Sequence, residues 1–268
     1  MASDFLLALQ HALEPLASRF HVEVLEECAS TNALLLEQAG QGVPSGSVRI
    51  AKRQTAGRGR RGRVWVSSPE ESLTFSLLWR WRGEAARLSG LSLALGLALV
   101  RALEGFGAAG LRLKWPNDVL YAAPNRTAAK LAGILVELAS GPQETAVIVG
   151  VGLNLSAPFV PEQPVAGLAE CLSRLPERPA LLAALLKEMA DILEQVETAG
   201  FVAPLRQEWQ ARHLWQNQPV RLQEEGKLLA EGVCRGVDET GALLLETATG
   251  QQRFMAGDLS LRAGGVSQ

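Results

Sequence analysis

The segment Val147-Ile148-Val149-Gly150-Val151-Gly152-Leu153-Asn154-Leu155 limits the fold of this chain more than any other. In a β-strand, successive side chains point to opposite faces. Val147, Val149, Val151, Leu153 and Leu155 then form one wholly apolar face, which must be covered by a core. Ile148, Gly150, Gly152 and Asn154 form the other. Glycine weakens a strand unless something must come close to its backbone. Two glycines on one face, followed by an Asn, call for a close neighbour there. A tightly packed helix and a bound ligand both meet that need.

Other segments supply a sheet around this strand. Leu73, Phe75, Leu77 and Trp79 alternate with Thr74, Ser76 and Leu78. Leu111, Leu113 and Trp115 alternate with Arg112 and Lys114, until Pro116-Asn117-Asp118 stops the run. Val22 with Val24, Val48–Lys52 and Lys130–Leu138 read as further strands. Helices are expected from an N-cap at Ser3 to about Leu16, over Ala33–Ala39 with Gly40 closing it, and over the apolar stretch Ala85–Glu104. Leu181–Thr198 and Val202–His213 are two more. Near Gln216 the character changes to short strands: Val220–Leu222, Leu228–Cys234, Leu243–Leu245 and Arg253–Met255. Turn residues at Glu225-Gly226, Asp238–Gly241 and Thr249-Gly250 separate them, the pattern of a small β-barrel. The expected fold class is α+β: a mixed β-sheet packed with helices over residues 1–216, and a small β-barrel over 217–268.

The chemistry is concentrated in Gly57-Arg58-Gly59-Arg60-Arg61-Gly62-Arg63. The chain's net charge is only −2, so this basicity is local. Glycine lets backbone N–H groups approach a ligand, and arginine offers a planar fork of donors to phosphate or carboxylate. A solvated loop, a localisation signal or a single-strand RNA contact would use the same residues. Ser30-Thr31-Asn32 is explained by helix capping, although such a positive helix end could also hold a small polar group. Lys114-Trp115-Pro116-Asn117-Asp118 reads alone as a turn, and Lys130 as a solvated lysine at a strand start. That reading of Lys130 weakens if it meets the same anion as the arginines.

Taken together these stretches are more specific. Ser30-Thr31-Asn32, Gln54-Thr55-Ala56-Gly57-Arg58-Gly59-Arg60-Arg61-Gly62-Arg63-Val64-Trp65, Lys114-Trp115-Pro116-Asn117-Asp118, Lys130-Leu131-Ala132-Gly133-Ile134-Leu135-Val136-Glu137 and Gly150-Val151-Gly152-Leu153-Asn154 stand in one order along the chain. In that order and approximate spacing the chain resembles the biotin protein ligases, from about Cys28 to Arg262. The resemblance implies a catalytic domain of the class II synthetase and biotin/lipoate ligase type, with an SH3-like C-terminal barrel. It implies ATP and Mg²⁺ as cofactors, biotin as substrate, and a two-step reaction through biotinyl-5′-adenylate. The acceptor would be a lysine of a biotin carboxyl carrier protein domain of a carboxylase.

Residue roles follow from the same resemblance. Arg58, Arg60, Lys130 and Asp118 are the catalytic candidates. Ser30, Thr31, Asn32, Gln54, Gly57 and Gly133 would hold biotin, together with Arg58, Arg60 and Lys130. Arg61, Arg63, Trp65, Asn117 and Asn154 would serve ATP and the adenylate, again with Arg58, Arg60 and Lys130. Trp65 would stack on adenine, and the charge of Asp118 could help the acceptor lysine lose its proton. Metal ligands stay unassigned. Residues 57–63 are expected to order only on ligand, Ala157–Gly167 to form a second responsive loop, and 119–129 to form a hairpin tip displaced outward. Asp258 and Arg262 could face the nucleotide or the acceptor, or be solvated.

Some relatives of this type carry an N-terminal DNA-binding module of about 60 residues. Only 29 residues precede Ser30, which implies the type that binds no operator. No nucleic-acid partner is therefore expected, and a homodimer is left open. The most apolar stretch, Leu88–Val100, is too short to span a bilayer, so no membrane partner is expected. No secretory signal opens the chain, and its three widely spaced cysteines suit a reducing cytoplasm. Two rivals share some of these features. Lipoate-protein ligases have the same fold but usually lack the Gly/Arg loop. A nucleic-acid binder would use the arginines and six Trp, yet gives no reason for Lys114–Asp118, Lys130 or the glycine face.

Overall fold

A computed structural model describes residues 2–124, 126–140, 144–160, 163–257 and 259–264. Helix α1 (Ala2–Leu13) leads to β1 (His21–Cys28), α2 (Thr31–Ala39), β2 (Ser47–Gln54) and β3 (Ser72–Trp81). Then come α3 (Leu91–Glu104), β4 (Leu111–Lys114), β5 (Asp118–Tyr121), β6 (Ala129–Ser140) and β7 (Thr145–Asn154). Helices α4 (Arg178–Ala199) and α5 (Ala203–Arg212) follow, then β8 (Pro219–Glu224), β9 (Lys227–Val237), β10 (Leu243–Thr247), β11 (Gly250–Phe254) and β12 (Leu259–Ala263). Among the described residues, β1-β2-β3-β7-β6-β5-β4 form a 7-stranded sheet in that order. Only β1 and β2 run parallel in it. The small unit near the C-terminus is an antiparallel sheet of order β11-β10-β9-β8-β12. The expected α+β class, with its mixed sheet and separate small β unit, is what forms.

Packing on the two faces of β7 decides where a site can lie. Val147, Val149, Val151 and Leu153 point into the main core. The same core takes in α3, whose Leu95, Leu97 and Leu99 are wholly buried and which packs on β4, β5 and β6 of the sheet. Helix α3 is apolar on every side because it lies between the sheet and α4 and α5. Each such leucine contributes roughly 1.5–3 kcal/mol by leaving water. On the opposite face α2 is much shorter. Its Leu35 and Ala39 cover Leu78, Ala146 and Ile148, and the helix begins at Thr31 with its N-cap at Ser30. The sheet is thus roofed at one end and open at the other.

The structure corrects several expected boundaries. Helix α1 stops at Leu13, with Ser3 inside it, because Pro15 lacks an N–H and disfavours a helical residue before it. The stretch Ala85–Glu104 is divided: a 3₁₀ turn spans Ala85–Leu88, and Gly90 at φ +80° resets the chain before α3. A side chain there would also strike Phe201 at 2.8 Å. Val119–Tyr121 is not a displaced tip. These residues are strand β5, with Val119 and Leu120 buried, and the chain leaves the sheet only at 122. Arg126 in that excursion pairs with Glu170 at 3.1 Å. Strand β12 went unread because Leu259 and Leu261 alone carry its period. Arg262 lies in β12 opposite Arg221, and Asp258 lies outside the described residues.

The small sheet is fastened to the rest of the chain through buried contacts. Trp115 Nε1 donates to the Gly241 carbonyl at 3.0 Å. His213 bridges to Leu113, stacks on Trp209 at 4.6 Å and is 4% exposed. Burial pushes its imidazole from 6.5 down to about 3.

Candidate active site

Register across the three central strands builds the floor. Thr74 pairs with Gly152, which pairs with Gly133. Ser76 pairs with Gly150, which pairs with Leu135. A Cβ at Gly150 would lie 2.3 Å from Asn32 Oδ1, and one at Gly152 would lie 2.2 Å from Trp65 Cε2. Both glycines are therefore required by the protein's own packing, two residues apart on one strand face. A helix end sits on Gly150, and an aromatic ring from the Gly/Arg stretch lies over Gly152.

The N-terminus of α2 carries a hydrogen-bond network onto this floor. Ser30 caps the helix by accepting from the Ala33 N–H at 3.4 Å. Gln54 Oε1 accepts from the Thr31 N–H at 2.8 Å and lies 3.2 Å from Thr31 Oγ1. Ser76 Oγ lies 2.7 Å from Thr31 Oγ1 and also bonds Asn32 Oδ1. Asn32 Nδ2 donates to Glu137 Oε2 at 2.8 Å and to the Leu135 carbonyl at 3.3 Å. The same Glu137 oxygen meets Arg58 Nη2 at 3.3 Å.

The Gly/Arg stretch folds back as a hairpin. Gly59 N–H donates to the Arg63 carbonyl at 2.7 Å, and Trp65 N–H to that of Gly57 at 2.9 Å. Arg61 (φ 63°) and Gly62 (φ 67°) make the left-handed turn at its tip. Gly57 does not line the cavity; it lies beneath the hairpin, where a Cβ would meet the Trp65 carbonyl at 2.6 Å. Arg60 reaches Asn117 Oδ1 at 3.3 Å and the Gly257 carbonyl of the small sheet at 2.6 Å. Asn117 is itself tied to the Ile134 carbonyl at 2.7 Å.

Lys130 stands at the start of β6, paired with Asp118 Oδ1 at 2.7 Å, and its ammonium lies 5.5 Å from the centre of the Trp65 ring. Its backbone is pinned from both sides. Lys130 N–H donates to the Pro164 carbonyl at 2.8 Å, and Asn154 Nδ2 donates to the Lys130 carbonyl at 3.2 Å. Lys114, opposite Asp118, lies over Trp215 at 5.5 Å. Burial lowers its pKa to about 8, partly offset by Asp118.

Ser30, Thr31, Asn32, Gln54, Arg58, Arg60, Arg61, Arg63, Trp65, Asn117, Asp118, Lys130, Gly133 and Asn154 all line this one cavity. The sequence reading gave no role to Lys114, Thr74, Ser76 or the Leu259–Leu261 wall. A signal for two of them was present: Thr74 and Ser76 are hydroxyls inside an otherwise apolar strand. The strand from the small sheet left no such trace.

The match to known proteins agrees with this geometry. The chain is 39% identical over 247 residues to the bifunctional ligase/repressor BirA of Escherichia coli, spanning 90% of this chain and 74% of that protein. The chain belongs to the biotin protein ligase family. The biotin/lipoate A/B protein ligase family model matches residues 24–154, and the biotin protein ligase C-terminal domain matches residues 217–262. The biotin–[acetyl-CoA-carboxylase] ligase of Paracoccus denitrificans is 36% identical, over 88% of this chain and 98% of its own length. A solved structure of the Aquifex aeolicus biotin protein ligase in complex with biotin and ATP superposes with a TM-score of 0.76. It is 32% identical, covering 91% of this chain and 99% of that one.

Proposed function

We propose that this cavity joins biotin to ATP, then passes the biotinyl group to a lysine of a biotin carboxyl carrier domain. One observation carries this reading: two unlike half-sites share one strand face. Uncharged hydrogen-bonding groups gather at Gly150, and an indole lies over Gly152. Two residues along a strand are about 7 Å apart. Arginine and lysine side chains line the same cavity.

In the first step a biotin carboxylate oxygen attacks the α-phosphorus of ATP. The bond from that phosphorus to the β-phosphate oxygen breaks, and pyrophosphate leaves with the electron pair. Nucleophile and electrophile are both anionic, so Arg58, Arg60 and Lys130 screen the approach. A preorganised group of this kind is worth about 2.7–4 kcal/mol. Arg61 and Arg63 extend the positive wall toward the nucleotide. Lys114, cationic below about pH 8, adds a charge beside Asp118. Trp65 offers adenine a flat apolar surface, with Asn117 and Asn154 as polar partners. Ser30, Thr31, Asn32 and Gln54 take the ureido end, with backbone at Gly133.

Mg²⁺ would be carried in by the phosphates, whose charge it screens. Mg²⁺ takes oxygen ligands and keeps several waters, so one or two carboxylates and the phosphates suffice to hold it. Asp118 is the carboxylate that lines the cavity, and it would supply the protein's contact.

In the second step the acceptor lysine nitrogen attacks the acyl carbon. The amine attacks in its neutral form: a C–N bond forms, the C–O bond to AMP breaks with its electron pair leaving on the AMP phosphate, and the nitrogen's extra proton passes to solvent. Asp118 holds the Lys130 ammonium in place, and its charge draws the cationic acceptor amine inward. We place the domain boundary between residues 216 and 217 and the reaction in the cytoplasm, since Cys28, Cys171 and Cys234 are free thiols. Strand β1 forms one edge of the large sheet and is the surface on which a homodimer would pair.

Incubation with biotin and MgATP tests the reading. Pyrophosphate release should require biotin, and a carrier domain should gain one biotinyl group by mass spectrometry. Release that is indifferent to biotin, or equal with lipoate, would overturn it.

A further inference from the structure

We infer that Glu137 is a positioning residue: through Asn32 and Ser76 it fixes which way the Thr31 hydroxyl points, so that Thr31 offers a ligand an acceptor and not a donor. The inference rests on the biotin reading of the site and deepens it to the ligand groups recognised there.

The chain of hydrogen bonds has a compulsory direction. A carboxylate and a backbone carbonyl can only accept. Glu137 Oε2 and the Leu135 carbonyl both face the same end of Asn32, at 2.8 and 3.3 Å. That end must be the NH₂ group, so Asn32 Oδ1 faces Ser76. An amide oxygen only accepts, so the single Ser76 proton goes to it. Ser76 is 0% exposed, and no water competes for that proton. The 2.7 Å contact between Ser76 Oγ and Thr31 Oγ1 then needs the Thr31 proton. The 3.2 Å separation of Thr31 Oγ1 from Gln54 Oε1 is the longer of the two contacts, as expected if its proton is committed to Ser76. The Gln54 oxygen is already supplied by the Thr31 N–H at 2.8 Å.

Thr31 is left with lone pairs toward the cavity. A cyclic urea carries two N–H donors beside its carbonyl, so an acceptor here selects N–H. A network polarised in one direction by a carboxylate at its far end is stronger than the same bonds taken singly. Glu137 also meets Arg58, so one carboxylate aligns the hydroxyl chain and one guanidinium of the cationic wall.

The test compares wild type with Glu137→Gln, which keeps the shape but can present either a donor or an acceptor to Asn32. Ser76→Ala, which cuts the chain in the middle, is the second variant. Isothermal titration is run with biotin, with MgATP, and with two cyclic carbamates in which one ureido N–H or the other is replaced by ring oxygen. Biotin affinity should fall about tenfold in each variant, equivalent to one lost hydrogen bond, with MgATP affinity unchanged in Ser76→Ala, which leaves the Glu137–Arg58 pair intact. The carbamate that lacks the recognised N–H should bind wild type about tenfold more weakly than biotin, and the variants should lose most of that discrimination. A merely structural glutamate would weaken biotin and both carbamates alike, and that result overturns the inference while the ligase reading stands. Wild type that fails to bind biotin at all would overturn both.

Discussion

Gly150→Ala separates the two halves of the cavity with a single methyl group. Its carbon would sit 2.3 Å from Asn32 Oδ1 and 2.9 Å from Asn32 Cγ. Carbon–oxygen contacts settle at about 3.3–3.6 Å, so the Asn32 amide must retreat by about 1 Å. It cannot do so and keep its bonds to Ser76, Leu135 and Glu137. Losing one or two of these costs about 1–3 kcal/mol, or roughly 5- to 150-fold in biotin affinity. Gly152→Ala acts on the other half, because its methyl would lie 2.2 Å from the Trp65 ring. The two variants should therefore cross. Isothermal titration should show Gly150→Ala losing biotin and keeping MgATP, and Gly152→Ala losing MgATP first. Far-UV circular dichroism and a thermal melt establish that each variant is folded. Two folded variants that weaken both ligands equally would refute the division of the floor into half-sites.

Other outcomes follow from single contacts. Lys130→Ala should lower the rate of adenylate formation by about 100- to 1,000-fold in a stopped-flow assay, the loss expected for one preorganised charge in the transition state. The KM for ATP should climb as Lys114 loses its proton above about pH 8, and Lys114→Arg should flatten that rise, because a guanidinium stays charged. His213 is held neutral by burial, with a folded pKa of about 3 against 6.5 unfolded. The stability linked to it is complete above pH 6.5 and is lost as pH falls toward 3, so urea melts at pH 4.5 should lose about 2–3 kcal/mol relative to pH 7, with His213→Phe abolishing that share. Tryptic cleavage at Arg60 or Arg61 should drop when biotin and MgATP are both present, and equal cleavage in either state would remove the idea of a loop that closes on ligand.

What the sequence revealed depended on whether a signal was local. Strands β3 and β7 were legible because their alternation runs through Leu73–Trp79 and Val147–Leu155 without interruption. Strand β5 was not, since its four residues begin with the Asp118 of a Pro-Asn-Asp turn signal. The Gly/Arg hairpin announced itself through composition. Ser76 did not, because its importance lies in standing opposite Gly150 and, one strand further, Leu135. That register joins three segments far apart in the chain. Lys114 was visible as a residue but not as a perturbed one, for its burial comes from the folded chain and the ring it lies over, Trp215, stands beyond α5.

The glycine pair shows that one strand face meets two separate demands. A helix end alone accounts for Gly150 under Asn32 but not for Gly152, which lies under the Trp65 ring. The strand repeat places the two demands about 7 Å apart. That spacing also bears on the chemistry. The biotin carboxylate and the α-phosphorus must come within about 3–3.5 Å along an open line of attack. In the reaction proposed above, a helix end at one glycine and an indole at the other would set the two substrates on one wall, with the reacting groups meeting between them. The arginines and Lys130 belong at that meeting point, because there alone two anions must be brought together. A side chain at either floor position would displace Asn32 or Trp65, and on the proposed reaction it would thereby move one substrate away from the other.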